Sequence, residues 1–304
     1  MNRRDFISKS VQAGVLAGST LAFGKDFLFN KTFAQDKYDL VAIKGGEPAA
    51  MFDKAIASLG GMKNFVSRGQ TVVVKPNIGW DVSPGRAGNT NPQLVKRIIE
   101  HCFNAGAKSV YAFDHTCDNW TRCYSNSEIE KAVKDAGGKI VGGNNEIYYQ
   151  RVSFKGGKRM QEAKVHELIL ESDVFINVPI LKHHSSSGLT ISMKNLMGIV
   201  WDRRYWHQNN LYQCIADFSL WRKPDLNVVD AYSILKRNGP RGVSEADVVM
   251  LKSQLISTDI VAADAAAAKL YGKEPDTIPY IKIADEMKIG RMDLSKLRIN
   301  RIIM

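Results

Sequence analysis

The sequence predicts an α/β protein: a wound, mostly parallel sheet with helices on both faces and two intimately packed halves. Three observations predict it. Short β-rich runs alternate with stretches of helical period, the runs end at Gly, Lys or Pro, and the order strand, helix, strand calls for parallel pairing.

Taken in order, Tyr38 to Ile43 and Thr71 to Lys75 read as strands. Between them, Ala49 to Leu59 has apolar residues at helical spacing and stops at Gly60-Gly61. Asn91-Pro92 opens a second helix that runs to about Asn104 and ends at Gly106. Ser109 to Phe113 is the next strand, followed by a polar loop, a helix from Ser127 to Ala136 and a short strand near Lys139 to Val141. The second half repeats this grammar with strands at Val174 to Val178, Leu226 to Asp230 and Val248 to Ile256, then an alanine-rich helix from Ile260 to Tyr271 closed by Gly272. Between these, LKHHSSSGLTISMKNLMG over 181–198 reads as a loop running into a helix. Met193, Leu196, Met197 and Val200 fall at i, i+3, i+4 and i+7, the stripe of a buried helix face. From Pro275 onward no element is legible.

The first 34 residues differ from the rest. Arg3 and Arg4 stand side by side before a modestly apolar run rich in Ala, Gly, Val and Leu, which reads as a twin-arginine export signal with cleavage after Ala34. That run is too short to cross a bilayer, which takes about 20 apolar residues. The expected organisation is therefore a signal peptide over 1–34 and a single domain over 35–304. The expected location is the periplasm or beyond the cytoplasmic membrane, with the export machinery as a partner and no transmembrane segment in the mature chain. The roughly 270 residues that remain suffice for a full core.

The chain carries 42 Lys and Arg against 31 Asp and Glu. Losing the five basic and two acidic residues of 1–34 leaves 37 against 29, a net charge of +8. No basic stripe with interleaved aromatics accompanies that charge, so the expected partner is an anionic small molecule or an anionic envelope surface rather than nucleic acid. Of the four cysteines, Cys102 shares a helix face with Val95, Ile98 and Ile99 and reads as a buried thiol. Cys117 and Cys123 lie close in a polar loop, where an oxidising compartment favours a disulfide and a metal role is the alternative.

Open α/β sheets bind ligands beyond the carboxyl ends of their strands. Here the strand ends run into Lys75-Pro76-Asn77, into Asp114-His115, into Pro179 and Lys182-His183-His184, and into Asp230. His184, His115, Lys194 and Asp114 are the candidate catalytic groups, and Lys75, Asn77, Lys182 and Asp230 the candidate ligand-binding groups. His183, His184 and His207 are the candidate metal ligands, with a divalent metal as the cofactor they suggest. Each has a plainer alternative. Adjacent His183 and His184 cannot both face one ligand from a regular strand. Asp114 and His115 form either an acid/base pair or a loop hydrogen bond, and Asp230 is either a ligand group or a cap. Lys194, beside the apolar stripe, is either partly covered and in need of a partner or snorkelling to water. The segment Trp201 to His207 is either an anion clamp with an aromatic lid or a surface turn. There is no GxGxxG after a strand, no GxxxxGK[ST], no HExxH and no GxSxG, which disfavours dinucleotide dehydrogenases, P-loop NTPases, zincins and α/β-hydrolases.

Four segments taken together, VVVKPNI, NVPILKHHSSSGLTISMKNLMGIV, VVDAYSILKRNGPRG and STDIVAADAAAAKLYG, resemble the domain of unknown function 362 family across essentially the whole mature chain. The resemblance implies an α/β fold with polar family positions at Lys75, Asn77, Lys182, His184, Lys194, Asn195, Asp230 and Asp264, which adds Asn195 to the ligand-binding candidates. Some members carry a ferredoxin-like module, but this chain has no CxxCxxCxxxC run and so no iron-sulfur cluster of that kind is expected. His183 stands where relatives commonly have Thr. A further, distant similarity to the N-terminal half of lactate-racemase-like proteins implies Lys and His around a nickel-containing cofactor. The expectation is thus an exported enzyme acting on an anionic small molecule through a Lys/His/Asp pocket, with a metal- or cofactor-binding carrier of the envelope as the alternative.

Overall fold

A ten-stranded mixed sheet carries the fold. The structure, a computed structural model, describes residues 38–304, so the expected export segment lies outside the described residues. The strands are β1 (Leu40–Lys44), β2 (Thr71–Pro76), β3 (Ser109–Ala112), β4 (Lys139–Ile140), β5 (Tyr149–Ser153), β6 (Glu162–His166), β7 (Val174–Val178), β8 (Ile180–His184), β9 (Gly188–Thr190), β10 (Leu226–Leu235), β11 (Val248–Ser257) and β12 (Ile299–Ile303). The main sheet runs β12-β1-β11-β10-β7-β2-β3-β4, with the β8–β9 hairpin leaning on β10, while β5 and β6 form a separate antiparallel ribbon. Pairing is parallel from β10 through β7, β2 and β3 to β4 and between β1 and β12. Only β11 runs antiparallel to its two neighbours in the main sheet.

Alternation along the strands assigns the two faces. Val73 of β2 and Phe175 of β7 enter one core, with the helix Ile260–Tyr271 and the helix Leu211–Phe218. Val72 and Val74, Val174 and Ile176 enter the other, with the helices Pro48–Ser58, Pro92–Asn104 and Ile129–Asp135. Helices therefore cover both faces, as expected. The two halves share one sheet, because β7 from the second half lies between β2 and β10.

Several local expectations are corrected. The loop expected before Met193 is the β8–β9 hairpin, and the helix expected through Val200 is one α-turn, Ser192–Asn195, tightening to 3₁₀ over Leu196–Ile199. Gly198 in that turn admits no side chain, since a Cβ there would stand 1.8 Å from Asp114 Oδ1 and 2.4 Å from Lys75 Nζ. The unread tail holds the helix Pro279–Glu286 and the edge strand β12, whose residues are half-buried or exposed and so carry no apolar pattern. Cys117 and Cys123 are not joined: all four cysteines are free, with Cys117 exposed and the other three buried. Among the described residues no helix is long and apolar enough to cross a membrane.

Candidate functional site

The chain leaves β2 for β3 on one side and leaves β7 for the β8–β9 hairpin beside β10 on the other, so the strand order reverses between β2 and β7. A crevice at the carboxyl ends follows from that reversal. It holds an inner cavity of about 60 Å³ lined by Lys75, Asn77, Asp114, His115, Lys182 and His184, together with Thr190, Lys194, Asn195 and Arg203. The cavity continues into a vestibule of about 390 Å³, which shares His184, Lys194, Cys117 and Arg203 and adds Ser185, Arg204 and His207. Grooves of about 410 and 550 Å³ elsewhere are lined largely by the β5–β6 ribbon, and their charged side chains are exposed or half-buried.

One wall of the crevice is a closed polar network. Lys75 Nζ lies 3.0 Å from Asp114 Oδ1 and donates to Asn195 Oδ1 at 2.9 Å. The Asn77 amide donates to the same Asn195 oxygen at 3.0 Å, and Lys182 Nζ donates to Asn77 Oδ1 at 2.9 Å and to the Gly88 carbonyl at 2.5 Å. Asn195 Nδ2 donates to Asn177 Oδ1, which anchors the short helix to β7, and Asn177 donates to Asn227 in β10. Asp114 Oδ2 accepts the Ile78 N–H at 2.6 Å. Lys75 and Lys182 are fully buried, which favours the neutral amine: burial lowers Lys75 against the opposing pull of Asp114, and lowers Lys182 to about 7 with help from Lys194 and Lys75.

The other wall has unused capacity. Lys194 is 9% exposed, and its ammonium has no hydrogen-bond or ion-pair partner among the described residues. Burial first, then Arg203 and Lys75, bring it down to about 8. Thr190 Oγ1 is buried without a partner. His115 donates from Nδ1 to the Val200 carbonyl at 2.9 Å and stacks on Trp201 with ring centroids 4.9 Å apart. That bond leaves the lone pair on Nε2. Burial and the Arg203 charge lower its pKa, so the ring is a neutral base. His184 has the opposite tautomer. Its Nδ1 accepts from the Ser186 and Ser187 N–H groups at 3.1 and 3.4 Å, so the proton sits on Nε2, and burial with Lys194 and Lys182 nearby holds its pKa down to about 2. Arg203 ties down the loop after β3 by donating to the His115 and Thr116 carbonyls, both at 2.7 Å, and its charge remains at the crevice. With Lys75 balanced by Asp114, Arg203 and the protonated fraction of Lys182 and Lys194 make the crevice positive.

The structure thus gathers Lys75, Asn77, Asp114, His115, Lys182, His184, Lys194 and Asn195. Asp114 and His115 do not form a pair; the carboxylate serves Lys75 and Ile78, and the ring serves Val200. Asp230 is corrected as well. Its carboxylate accepts the Asn91 and Tyr232 N–H groups at 2.7 and 3.0 Å and does not line the crevice, and burial raises it to about 6. Asp264 likewise holds the Ser192 and Met193 N–H groups, and burial raises it to about 7.

The metal set His183, His184 and His207 is not assembled. His183 turns away to accept the Gly239 N–H on Nδ1, and His184 has its proton on Nε2, the atom a metal at the crevice would need. Only His184 and His207 share the vestibule. Among the described residues no three His, Cys, Asp or Glu side chains come together to hold a metal ion.

Thr190, Gly198 and Asn177 escaped sequence reasoning. Asn177 had a signal, an amide inside the apolar run Val174–Val178. The segment Trp201 to His207 divides its roles: Trp201 backs His115, Arg203 braces the loop, and Trp206 is buried.

The family model described as a domain of unknown function (DUF362) matches residues 72–269. The thylakoid-associated protein sll1697 of Synechocystis sp. is 25% identical over 261 residues, covering 81% of this chain and 77% of that protein. A Thermotoga maritima protein of known crystal structure superposes with a TM-score of 0.50 at 12% identity, over 75% of this chain and 60% of its own. The lactate racemase apoprotein from Thermoanaerobacterium thermosaccharolyticum gives 0.45 at 10% identity, over 77% and 57%. The matched part is less than two thirds of either solved chain, and the Thermotoga likeness concerns the fold alone.

Proposed function

The chain belongs to the DUF362 family, a domain of unknown function, and from the chemistry of its crevice we propose that it is an enzyme acting on an anionic small molecule. The single observation that carries this reading is the Lys194 ammonium, which opens on the crevice and has no partner among the described residues, beside the guanidinium of Arg203. A cation that no group of the fold pairs is free to take an anion. The chemistry beside it supports catalysis over storage: His115 supplies a neutral base at Nε2 and His184 a donor at its Nε2–H, two proton-handling groups of opposite sense at one anion.

The test is thermal shift against inorganic phosphate and small carboxylates such as glycolate. A bound anion stabilises by about 2.7 kcal/mol at a hundredfold excess over its Kd. The expected result is a rise in Tm for at least one anion that Lys194→Met abolishes; no ligand-dependent rise across the panel sinks the reading.

Export through the Arg3-Arg4 segment is part of the same proposal. Fractionation of cells carrying Arg3→Lys with Arg4→Lys is expected to retain the protein inside, and unchanged export of that variant rejects the twin-arginine route.

A further inference from the structure

Anion binding alone leaves Lys194 unexplained. Lys182 is as deeply buried as any lysine in the crevice, yet its ammonium is held by Asn77 and Gly88, and Lys75 is held by Asp114 and Asn195. Lys194 lines the same cavity and the vestibule, its Nζ without a bonding partner among the described residues, with the similarly unpartnered Thr190 hydroxyl lining the same cavity. Neighbouring oxygens accept from an ammonium and hold a lysine in its charged form. An amine meant to react gains from being without them, because the proton is then lost more readily and the lone pair freed.

Resting on the anion-site reading above, we propose that Lys194 is a nucleophilic amine that captures an anionic carbonyl compound, an oxo acid, as a Schiff base. The carboxylate is taken by the charges of Lys182 and Arg203, which places the neighbouring carbonyl carbon toward the third cation of the cavity. The Nζ lone pair then forms the C–N bond, and the C=O π pair moves to oxygen, which takes a proton to give a carbinolamine. Nitrogen gives up both of its protons in turn, the oxygen takes both and leaves as water, and the C=N bond forms; an amine and a carbonyl become an imine and one water, with no oxidant or reductant required. The groups for these transfers line the same cavity: His115 Nε2 takes each proton from the nitrogen and returns it to the oxygen, while the neutral His184 holds the oxygen by a hydrogen bond from its Nε2–H. Crowding by Arg203 and Lys75 on top of burial leaves a usable share of Lys194 in the amine form near neutral pH.

The experiment is reductive trapping of the full chain with glyoxylate and cyanoborohydride, read by intact mass and by peptide mapping, beside a thermal-shift titration with glycolate, which has the carboxylate and no carbonyl. The expected result is one carboxymethyl group on Lys194, formed at least about tenfold faster than on exposed lysines, slowed by glycolate and absent in Lys194→Arg, which keeps the charge. If glycolate raises Tm but the adducts fall on surface lysines and leave Lys194 untouched, the Schiff base is wrong and the anion site stands. If neither glycolate nor glyoxylate shifts Tm and Lys194 is unmodified, both readings fall together.

Discussion

The crevice has two walls made of the same kind of residue, and they are finished differently. On one, Lys75 and Lys182 are buried and every ammonium meets oxygens from Asp114, Asn195, Asn77 or Gly88. On the other, Thr190 Oγ1 is buried without a partner among the described residues, and the Lys194 ammonium and His115 Nε2 open on the crevice with none. Buried polar groups are satisfied almost everywhere in native proteins, so the first wall is finished within the chain and the second leaves bonding capacity at the crevice. The family positions implied by resemblance divide along this line too: Lys75, Asn77, Lys182 and Asn195 bond to one another or to the backbone, whereas Lys194 has no partner among the described residues.

The sharpest way to break this comparison is to remove one lysine from each wall. Lys75→Met strands the Asp114 carboxylate beside Gly198, and breaking a buried pair in this way costs about 3–5 kcal/mol. Lys194→Met removes an ammonium that nothing in the fold holds, so its Tm is expected to stay level or rise by a few degrees while anion binding disappears. Urea denaturation of the two variants measures the contrast. Equal losses would mean that Lys194 supports the fold, and a loss under about 1 kcal/mol for Lys75→Met would mean that the paired wall is not framework.

Much of the first wall is legible in the sequence, because Lys75, Asn77, Asp114 and Lys182 follow or end strands whose apolar runs are easy to read, and the ligand rule for α/β sheets points there. The wound sheet is legible for the same reason. What is not legible depends on contacts between distant segments. β12 is held by backbone pairing to β1 at an edge and has no side-chain pattern to betray it. The β8–β9 hairpin hides in a run of hydroxyls and histidines. Asp230 and Asp264 look like ligand groups in a linear reading, and only the fold shows their oxygens bonded to backbone N–H groups. The tautomer of His115 is set by the distant Val200 carbonyl and that of His184 by two amides of its own hairpin turn, so the two rings look alike in sequence and act in opposite senses. The missing partner of Lys194 is likewise a property of the assembled crevice.

The difference between the walls also has a pH signature, smaller than the mutational one. Lys182 and Lys194 titrate near 7 and 8 in the folded chain against an ordinary 10.5. From about pH 7 to about pH 9 the unfolded chain therefore binds more protons than the folded one at these two groups, and their contribution to the stability of the ligand-free protein rises with pH; above that range the buried thiols of Cys102, Cys123 and Cys214, pushed up to about 12, 12 and 11, act in the other direction. Asp230 and Asp264, raised to about 6 and about 7 from 3.8, act in the other direction. The folded chain binds more protons than the unfolded one from pH 3.8 up to their folded values, so their contribution falls as pH rises through that range. The buried histidines His184 and His166, lowered to about 2 and about 4, oppose the two carboxylates over that acid range, so the signature that separates the walls is the limb above neutrality, where the two lysines discharge. An anion at the crevice holds Lys182 and Lys194 in the charged form and so flattens the rise above neutrality, leaving the acid limb alone. In Tm scans the ligand-free limb is expected to climb by a few degrees, at about 2–4 °C per kcal/mol for a protein of this size, with Lys194→Met removing its share of the climb. A ligand-free Tm that falls steadily from neutrality upward would show that the lysines of this crevice are charged at no cost, and the distinction between the two walls would go with it.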